Sequence, residues 1–377
     1  MAEYRICNRC VMDTTDPGVT FDEQGYCSAC NTYLEQRPIR GYRPGDSERE
    51  LGALVGQIKR DGTGKEYDVI LGISGGVDSA YMAYLANRLG LRILAVHVDT
   101  GWNNETAVRN IECMCKKLKL QLHTIVIDWP TMKELQRAYM LSGVANLDVP
   151  QDHVFMTAVM RFAKQYGVRY VLNGNNLATE GASAPFSAQQ SCMDYWHILS
   201  IYRKHGRGMS LKKYPHLSLW EARWKFPDII KIDILNHIPY SKKDAMETLT
   251  REFGWEYYGG KHFESRFTKY FQSVYLPRKF GYDKRRYHLS CLILNGEMTR
   301  GEALDELSHP PYPVEQQRED EAYILKKLDI GPAEWQRILD APPTPNDAYF
   351  SQQKLVAFAK RLLGKKNVAA IQRQKSA

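Results

Sequence analysis

A chain of 377 residues is long enough for two or three domains with substantial cores. Hydrophobic residues make up 44% and charged residues 25%, an ordinary globular balance, and no apolar run approaches a membrane span. The net charge of +8, from 51 basic and 43 acidic residues, favours an anionic ligand: nucleotide, phosphorylated sugar or nucleic acid.

The N-terminal segment is rich in cysteine. Cys7-x-x-Cys10 and Cys27-x-x-Cys30 form two knuckles, and turn-like stretches (Asp16-Pro17-Gly18, Asp22 to Gly25) lie between them. A two-residue gap lets both thiolates of a knuckle face one ion, so a zinc ribbon over residues 1–36 is expected, with structural Zn2+ on Cys7, Cys10, Cys27 and Cys30. An iron–sulfur cluster is the rival. So short a ribbon cannot bury a core of its own, and the metal substitutes for one. Acids and polar residues among the cysteines exclude a secretory signal, and a cytoplasmic location is expected. Cys113, Cys115, Cys192 and Cys291 are scattered and read as small buried hydrophobes.

After a polar stretch from Arg37 to Glu50, an α/β pattern begins. Residues 67–73 read as a buried strand, 80–89 as a helix closed by Gly90, 92–99 as a strand, 105–118 as a helix and 121–128 as a strand. A helical stretch over 152–166 and a strand over 169–172 follow. Such alternation implies a parallel sheet covered by helices, with ligands at the carboxyl ends of the strands. Ser74, Asp99, Asp128 and Asn173 fall at those ends.

The sequence Ser74-Gly75-Gly76-Val77-Asp78-Ser79 joins the first strand to its helix. Its glycines allow a sharp turn with exposed N–H groups at a helix N-terminus, where an anion is favoured. Ser74 and Ser79 add hydroxyls. Asp78 is unfavourable beside bare phosphate, so it is expected to act through Mg2+. The Lys of a Walker A loop is missing. SGGxDS resembles the PP-loop signature of ATP pyrophosphatases such as GMP synthetase, asparagine synthetase, NAD synthetase and tRNA-modifying enzymes, whose loop grips the departing pyrophosphate. The resemblance implies an α/β, adenine nucleotide alpha hydrolase-like domain over residues 50–240 that uses ATP. Asp99, in VDTGW, matches a stretch that receives nucleotide in those relatives. Asn173-Gly174 opens NGNNLATE, a variant of their GHN-x-x-D/E-x-x-E segment, with Asn175 where His is common. Glu180 could help to bind metal.

Residues 259–286, GGKHFESRFTKYFQSVYLPRKFGYDKRR, hold eight Lys or Arg against Glu264 and Asp283, with seven Phe or Tyr interleaved. Cations beside aromatics suit a nucleotide diphosphate, or RNA; a solvated basic helix face is the plainer alternative. With CNRCVMDTTDPGVTFDEQGYCSAC, ISGGVDSAY, VHVDTGWNNETAVRNI and LDIGPAEWQRILDAPP, this stretch makes nearly the whole chain resemble the N-acetyl sugar amidotransferases of bacterial surface-polysaccharide and flagellin-glycan biosynthesis. The resemblance implies that a nucleotide-activated N-acetyl sugar is adenylated on its amide oxygen and converted by ammonia to an amidine. Ser74, Gly75, Gly76 and Ser79 would then hold pyrophosphate and Asp78 Mg2+. Lys261, His262 and Arg266 would approach the adenylyl group or the sugar nucleotide, with His262 alternatively a proton shuttle. Lys284, Arg285 and Arg286 would meet substrate phosphate. No glutaminase is visible, so the resemblance implies a separate one, like the histidine-biosynthesis subunit and with or without its cyclase-like barrel.

Ser241 starts a helix running to about Phe253. Residues 301–364 read as helices broken at prolines 310–313 and 342–343, so 241–377 is taken as a mostly helical region that closes over substrate or mediates subunit contacts. The tail from Lys365 reads as frayed. Two rivals stay open: a tRNA-thiolating or -amidating PP-loop enzyme, for which Cys113, Cys115 and Cys192 are the available thiols, and a ribbon-bearing nucleic-acid adaptor.

Overall fold

Five short strands form one parallel sheet in the computed structural model, which describes residues 3–181 and 192–355. In chain order the elements through the sheet are α1 (Ser28–Arg40), α2 (Asp46–Asp61), β1 (Val69–Gly72), α3 (Val77–Arg88), β2 (Ile93–Asp99), α4 (Glu105–Leu118), β3 (Leu122–Val126), α5 (Trp129–Ser142), α6 (Val149–Gln165), β4 (Tyr170–Leu172), α7 (Leu177–Glu180), α8 (Tyr195–His205), α9 (Leu219–Lys225) and β5 (Ile230–Ile232). Then come α10 (Lys242–Phe253), α11 (Arg266–Tyr270), a wider π-turn at Phe271–Tyr275, α12 (Leu276–Phe280), α13 (Arg285–Asn295), α14 (Arg300–Ser308), α15 (Val314–Lys327) and α16 (Pro332–Asp340).

The strand order is β3-β2-β1-β4-β5, with Val69 opposite Ile93 on one side and Tyr170 on the other. The chain winds outward from β1 to β3, then returns to the other flank of β1. Its connections therefore diverge between β1 and β4 and leave a crevice at their carboxyl ends. Strand alternation divides the core: Val69, Leu71 and Tyr170 face α3, α4 and α10, whereas Ile70, Leu94 and Val171 face α5, α6 and α8. Gly72 points toward α6, where a Cβ would sit 2.0 Å from the Phe155 ring, so this strand end admits no side chain.

The strands and helices expected around the nucleotide loop are present, the strands shorter at their ends and the helices α3 and α6 starting three residues earlier. The polar stretch after the ribbon is largely helical, because α1 runs on to Arg40 and α2 starts at Asp46. α5 and β5 were not anticipated. β5 is a three-residue edge strand with two exposed positions, too short for any periodicity to reveal. α10 is capped by the Ser241 side chain, which accepts from Asp244 N–H, and it packs on α3 and α4. The expected frayed tail lies outside the described residues.

The ribbon does not sit on the sheet. Cys7, Cys10, Met12 and Tyr33 pack with Leu177 of α7 and with Tyr287, Cys291 and Leu294 of α13. Arg286 fastens it through an ion pair to buried Asp13 (2.9 Å) and a hydrogen bond to the Val11 carbonyl (2.9 Å). Arg300 donates to the Cys7 and Cys10 carbonyls (3.1 and 3.0 Å).

Candidate active site

At the end of β1 the chain turns through Gly75 (φ +82°), and α3 begins at Val77 with Gly76 as its cap. A Cβ on Gly75 would lie 2.4 Å from the Ala107 carbonyl, and one on Gly76 within 3.3 Å of Glu264, Ser74 and Tyr258. The loop is braced from within. Ser79 Oγ donates to the Gly76 carbonyl (3.0 Å), Gly76 N–H donates to Ser74 Oγ (3.2 Å), and the Trp255 indole donates to the Gly75 carbonyl (3.1 Å). The result is a narrow cradle at the N-terminus of α3, shaped for an anion held by N–H groups. Gly75→Ala is expected to lower the thermal midpoint by several degrees and to weaken nucleotide binding by at least about tenfold, since the left-handed φ alone costs about 1–2 kcal/mol. Thermal melting and titration with a non-hydrolysable ATP analogue measure both.

A cleft of about 480 Å3 opens on this loop, walled by residues from the ends of β1 and β4, from α6 and from the 258–272 stretch. Backbone pairing delivers that distant stretch: Asn103 bridges to Ser265, Asn104 N–H donates to the Glu264 carbonyl (2.9 Å), and Arg266 N–H donates to the Trp102 carbonyl (2.8 Å). Lys261 is thereby placed with its Nζ 2.9 Å from Glu180 and 3.9 Å from Asp78, donating also to Thr179 (3.2 Å). Burial acts to lower the Lys261 pKa, but Glu180 and Asp78 outweigh it and hold the pKa above the ordinary lysine value. Burial likewise acts to raise Glu180 and Glu264, yet Lys261 and His262 for the first, and chiefly His262 for the second, hold both below the usual carboxylate range. Asp78 also accepts from the Tyr240 hydroxyl. His262 takes a left-handed φ of +63° and sits 3.8 Å from Glu264, one of whose oxygens has no hydrogen-bond partner.

The structure gathers Ser74, Gly76, Asp78, Ser79, Asn173, Gly174, Glu180, Lys261, His262 and Lys284 around the cleft. It takes others elsewhere. Arg266 is tied to buried Asp320 (2.5 Å) and lies over the Tyr323 ring (3.9 Å), so it locks α15 onto α11. Arg285 is held by Asp283 (2.7 Å) and by the Glu306 and His309 carbonyls (2.9 Å each). Arg286 belongs to the ribbon contact described above. Asp99 spends a carboxylate oxygen on Gly101 N–H (2.8 Å) and Asn103 (3.2 Å), closing its own turn. Asp128 caps α5 and pairs with Lys213 (2.9 Å). Of the eight cations in the 259–286 stretch, only Lys261 and Lys284 line the cleft. Most of the others anchor helices, because interleaved aromatics turn inward and draw their cations toward buried acids.

Several cleft residues had no sequence signal. Tyr258, Lys231 and Lys242 arrive from separate parts of the chain, and only tertiary packing brings them together. Asp148 and Asp152 are different, because their four-residue spacing at the start of a helix could have been noticed. Asp148 is held by Gln151 and Thr268 (2.9 Å each), and burial pushes its pKa up. Asp152 is exposed to the cleft, and desolvation there with the nearby Asp148 charge pushes it up to about 7, against the pull of Lys284. A carboxyl raised in the folded state contributes stability that is full below its unfolded value and is lost as pH rises through about 7. Asp152→Asn is therefore expected to flatten the fall in thermal midpoint between about pH 5 and 8. An unchanged slope in that variant contradicts the assignment.

The four ribbon thiols are fully buried, with Cys7 and Cys30 sulfurs 3.7 Å apart, Cys10 and Cys27 3.6 Å apart, and all four within 4.8 Å of one another. Tetrahedral Zn–S bonds of about 2.3 Å place sulfurs about 3.8 Å apart. The set could thus hold a single tetrahedral ion and is too tight to enclose a multi-iron cluster. Backbone N–H groups of Arg9, Met12, Cys27 and Cys30 point at the sulfurs, as thiolate ligands require. Of the other cysteines, Cys115 and Cys291 are buried and Cys113 and Cys192 partly exposed. Burial raises Cys115 to about 11 and Cys192 to about 12. No helix among the described residues is long and apolar enough to cross a membrane.

Residues 53–178 match the NAD synthase family, and residues 264–363 match the family described as LPS biosynthesis protein WbpG-like, C-terminal domain. Among curated proteins, a tRNA-specific 2-thiouridylase of Aliarcobacter butzleri is 26% identical over 46% of this chain and 51% of its own length. A 7-cyano-7-deazaguanine synthase of Prochlorococcus marinus is 24% identical over 45% of this chain and 80% of its own. The chain thus spans about half the length of the thiouridylase it matches. Among solved structures, the NH3-dependent NAD synthetase of Campylobacter jejuni aligns over 67% of this chain and 97% of its own at 15% identity, with a TM-score of 0.32. The NMN synthetase of Francisella tularensis aligns over 37% and 58% at 20% identity, with a TM-score of 0.29.

Proposed function

We propose, from the premise that this chain belongs to the N-acetyl sugar amidotransferase family of the PP-loop superfamily, that it adenylates the acetamido group of a nucleotide-activated N-acetyl sugar and converts it with ammonia to an acetamidino group. The product would serve lipopolysaccharide O-antigen or related glycan assembly. The observation that carries the reading is the placement of Lys261, from the stretch just before the WbpG-like region, 3.9 Å from Asp78 of the PP-loop.

In this reaction the amide oxygen attacks the α-phosphorus of ATP as the bond to the β-phosphate breaks and pyrophosphate leaves. Ammonia then adds to the imidate carbon, the C–O bond breaks, AMP departs with that oxygen, and nitrogen-bound protons pass to solvent. An amide oxygen is a poor leaving group, and AMP is a good one. Ser74, Gly76 and Ser79, whose donors here brace the loop among themselves, would turn them to the departing pyrophosphate at the N-terminus of α3. Lys261 would meet the charge that develops on the transferred phosphoryl oxygens. Asp78 and the half-unpartnered Glu264 are suited to Mg2+, which when bound would neutralise the phosphates. His262, beside Glu264, would take a proton from the incoming nitrogen. Zinc would close the ribbon as a structural ion, since four thiolates leave no open position. Ammonia would come from a separate glutaminase.

Thiolation of tRNA fits less well. Among the described residues no cysteine lines the cleft, and burial holds Cys115 and Cys192 in the thiol form.

The test is mass spectrometry of full-length protein incubated with ATP, Mg2+, ammonium and a panel of UDP- and CMP-linked N-acetyl sugars. A product that has exchanged one oxygen for NH, formed in step with AMP and lost in Asp78→Ala, is the expected result. AMP release on adding bulk tRNA, with every sugar unchanged, overturns it.

A further inference from the structure

Behind the strap Gly259–His262 lies a second chamber of about 300 Å3. Lys242, Lys261, Gln272 and Lys284 border both spaces, so the strap and these side chains form a partition. Glycine is required in the strap: Gly259 has φ +99°, and a Cβ on Gly260 would fall 2.7 Å from the Phe263 ring. The π-turn at Phe271–Tyr275 brings Gln272 and Ser273 to the chamber.

Cations dominate the lining. Lys284, His288 and Leu292 recur at four-residue intervals at and beyond the start of α13, so they share one face. Lys242 and Lys243 come from the first turn of α10, where the helix dipole adds positive potential. None of Lys242, Lys243 and Lys284 has a carboxylate within ion-pair distance among the described residues, and burial lowers the pKa of Lys242 and Lys284. The acids at the chamber are Glu297, which accepts from Lys242 N–H (3.0 Å), and Glu306. His288 supplies the independent sign of a ligand: both ring nitrogens are buried and neither has a hydrogen-bond partner. Its ring lies 5.6 Å from that of His262, on the cleft side of the partition. Phe263 and the half-exposed Tyr257 offer flat apolar surface.

We infer that this chamber binds the nucleoside diphosphate of the acceptor, so that acceptor and ATP approach Lys261 and His262 from opposite sides of the strap. The inference rests on the function proposed above. Three unpaired lysines exceed what a single phosphodiester needs and suit a pyrophosphate, and His288 can donate to or accept from the ribose or base. Separate seats explain how two nucleotides with similar phosphates use one active site without competing.

The experiment is isothermal titration of the full chain with UDP, alone and with a non-hydrolysable ATP analogue at saturation. UDP affinity is expected to stay within about threefold when the analogue is bound. Lys243→Glu and Leu292→Trp, whose wild-type side chains line the chamber and not the cleft, are expected to weaken UDP by about tenfold or more with analogue affinity nearly unchanged. Lys243 is exposed, so its replacement leaves the fold intact. Displacement of UDP by the analogue, unchanged UDP affinity in both variants, or binding of CMP in place of UDP overturns the inference. If amidine forms while Leu292→Trp leaves the acceptor KM unaltered, the inference falls and the proposed function stands. If UDP binds as expected and no sugar gains nitrogen, the function falls and the chamber remains a nucleotide site.

Discussion

Replacing Lys261 with Met is expected to lower the rate of AMP formation by about 10²–10³-fold, the usual cost of losing one fixed donor to developing charge. Its ammonium group is the only one among the described residues in contact with both Asp78 and Glu180, and no neighbouring lysine has an ion pair holding it there. The substitution has a second consequence. Glu180, whose side chain is 25% exposed, is left without its partner, and the loss costs on the order of 1–3 kcal/mol. Loss of activity could then reflect loss of fold. The double variant Lys261→Met/Glu180→Gln separates the two, because removing both charges restores the thermal midpoint and leaves turnover low. The pH dependence follows from the same pair. Glu180 is held below its ordinary value and Lys261 above, so their contribution is constant through neutral pH and is lost as acid titrates Glu180 or strong base titrates Lys261. A double variant with wild-type turnover removes Lys261 from the chemistry.

Removal of the ribbon metal is expected to lower the thermal midpoint by on the order of 10 °C and to reduce turnover although no thiol touches the cleft. The ribbon reaches the site through packing. The ribbon shares its small core with Leu177 and Tyr287, and the Tyr287 hydroxyl donates to the Glu180 carbonyl (2.6 Å). The same helix, α13, carries Lys284 just before its start and His288 one turn on. Loosening the ribbon therefore frees the support of Glu180 and of two residues lining the cleft and chamber. Metal analysis should find about one zinc per chain, and Cys27→Ser should reproduce the melting shift of chelated wild-type protein. A chelated protein with an unchanged midpoint, or an absorbance band of bound iron–sulfur, defeats this expectation.

The nucleotide loop and the ribbon were legible in the sequence because both are local. A PP-loop needs its glycines, its serines and a following helix within six residues, and a cysteine knuckle needs two thiols at one fixed gap. Buried parallel strands also declare themselves, since Val69 to Ile73 are apolar on both faces. Very short elements did not. β5 and α7 are three and four residues long, and their existence depends on the strand and helices beside them.

The 259–286 stretch marks the limit most clearly. Its composition pointed to phosphate binding throughout, whereas Arg266, Lys269 and Arg278 are spent on Asp320 and Glu321 of α15. Composition cannot tell a cation that meets a ligand from one that meets a buried carboxylate fifty residues away. What the sequence alone determined is what contiguous residues carry: the PP-loop cradle, the thiol set and the parallel α/β sheet. Only the tertiary structure decided which distant side chains meet that cradle, because backbone pairing of Asn103 with Ser265 carries Lys261, His262 and Glu264 to the loop, and ion pairing with buried acids carries their neighbours away.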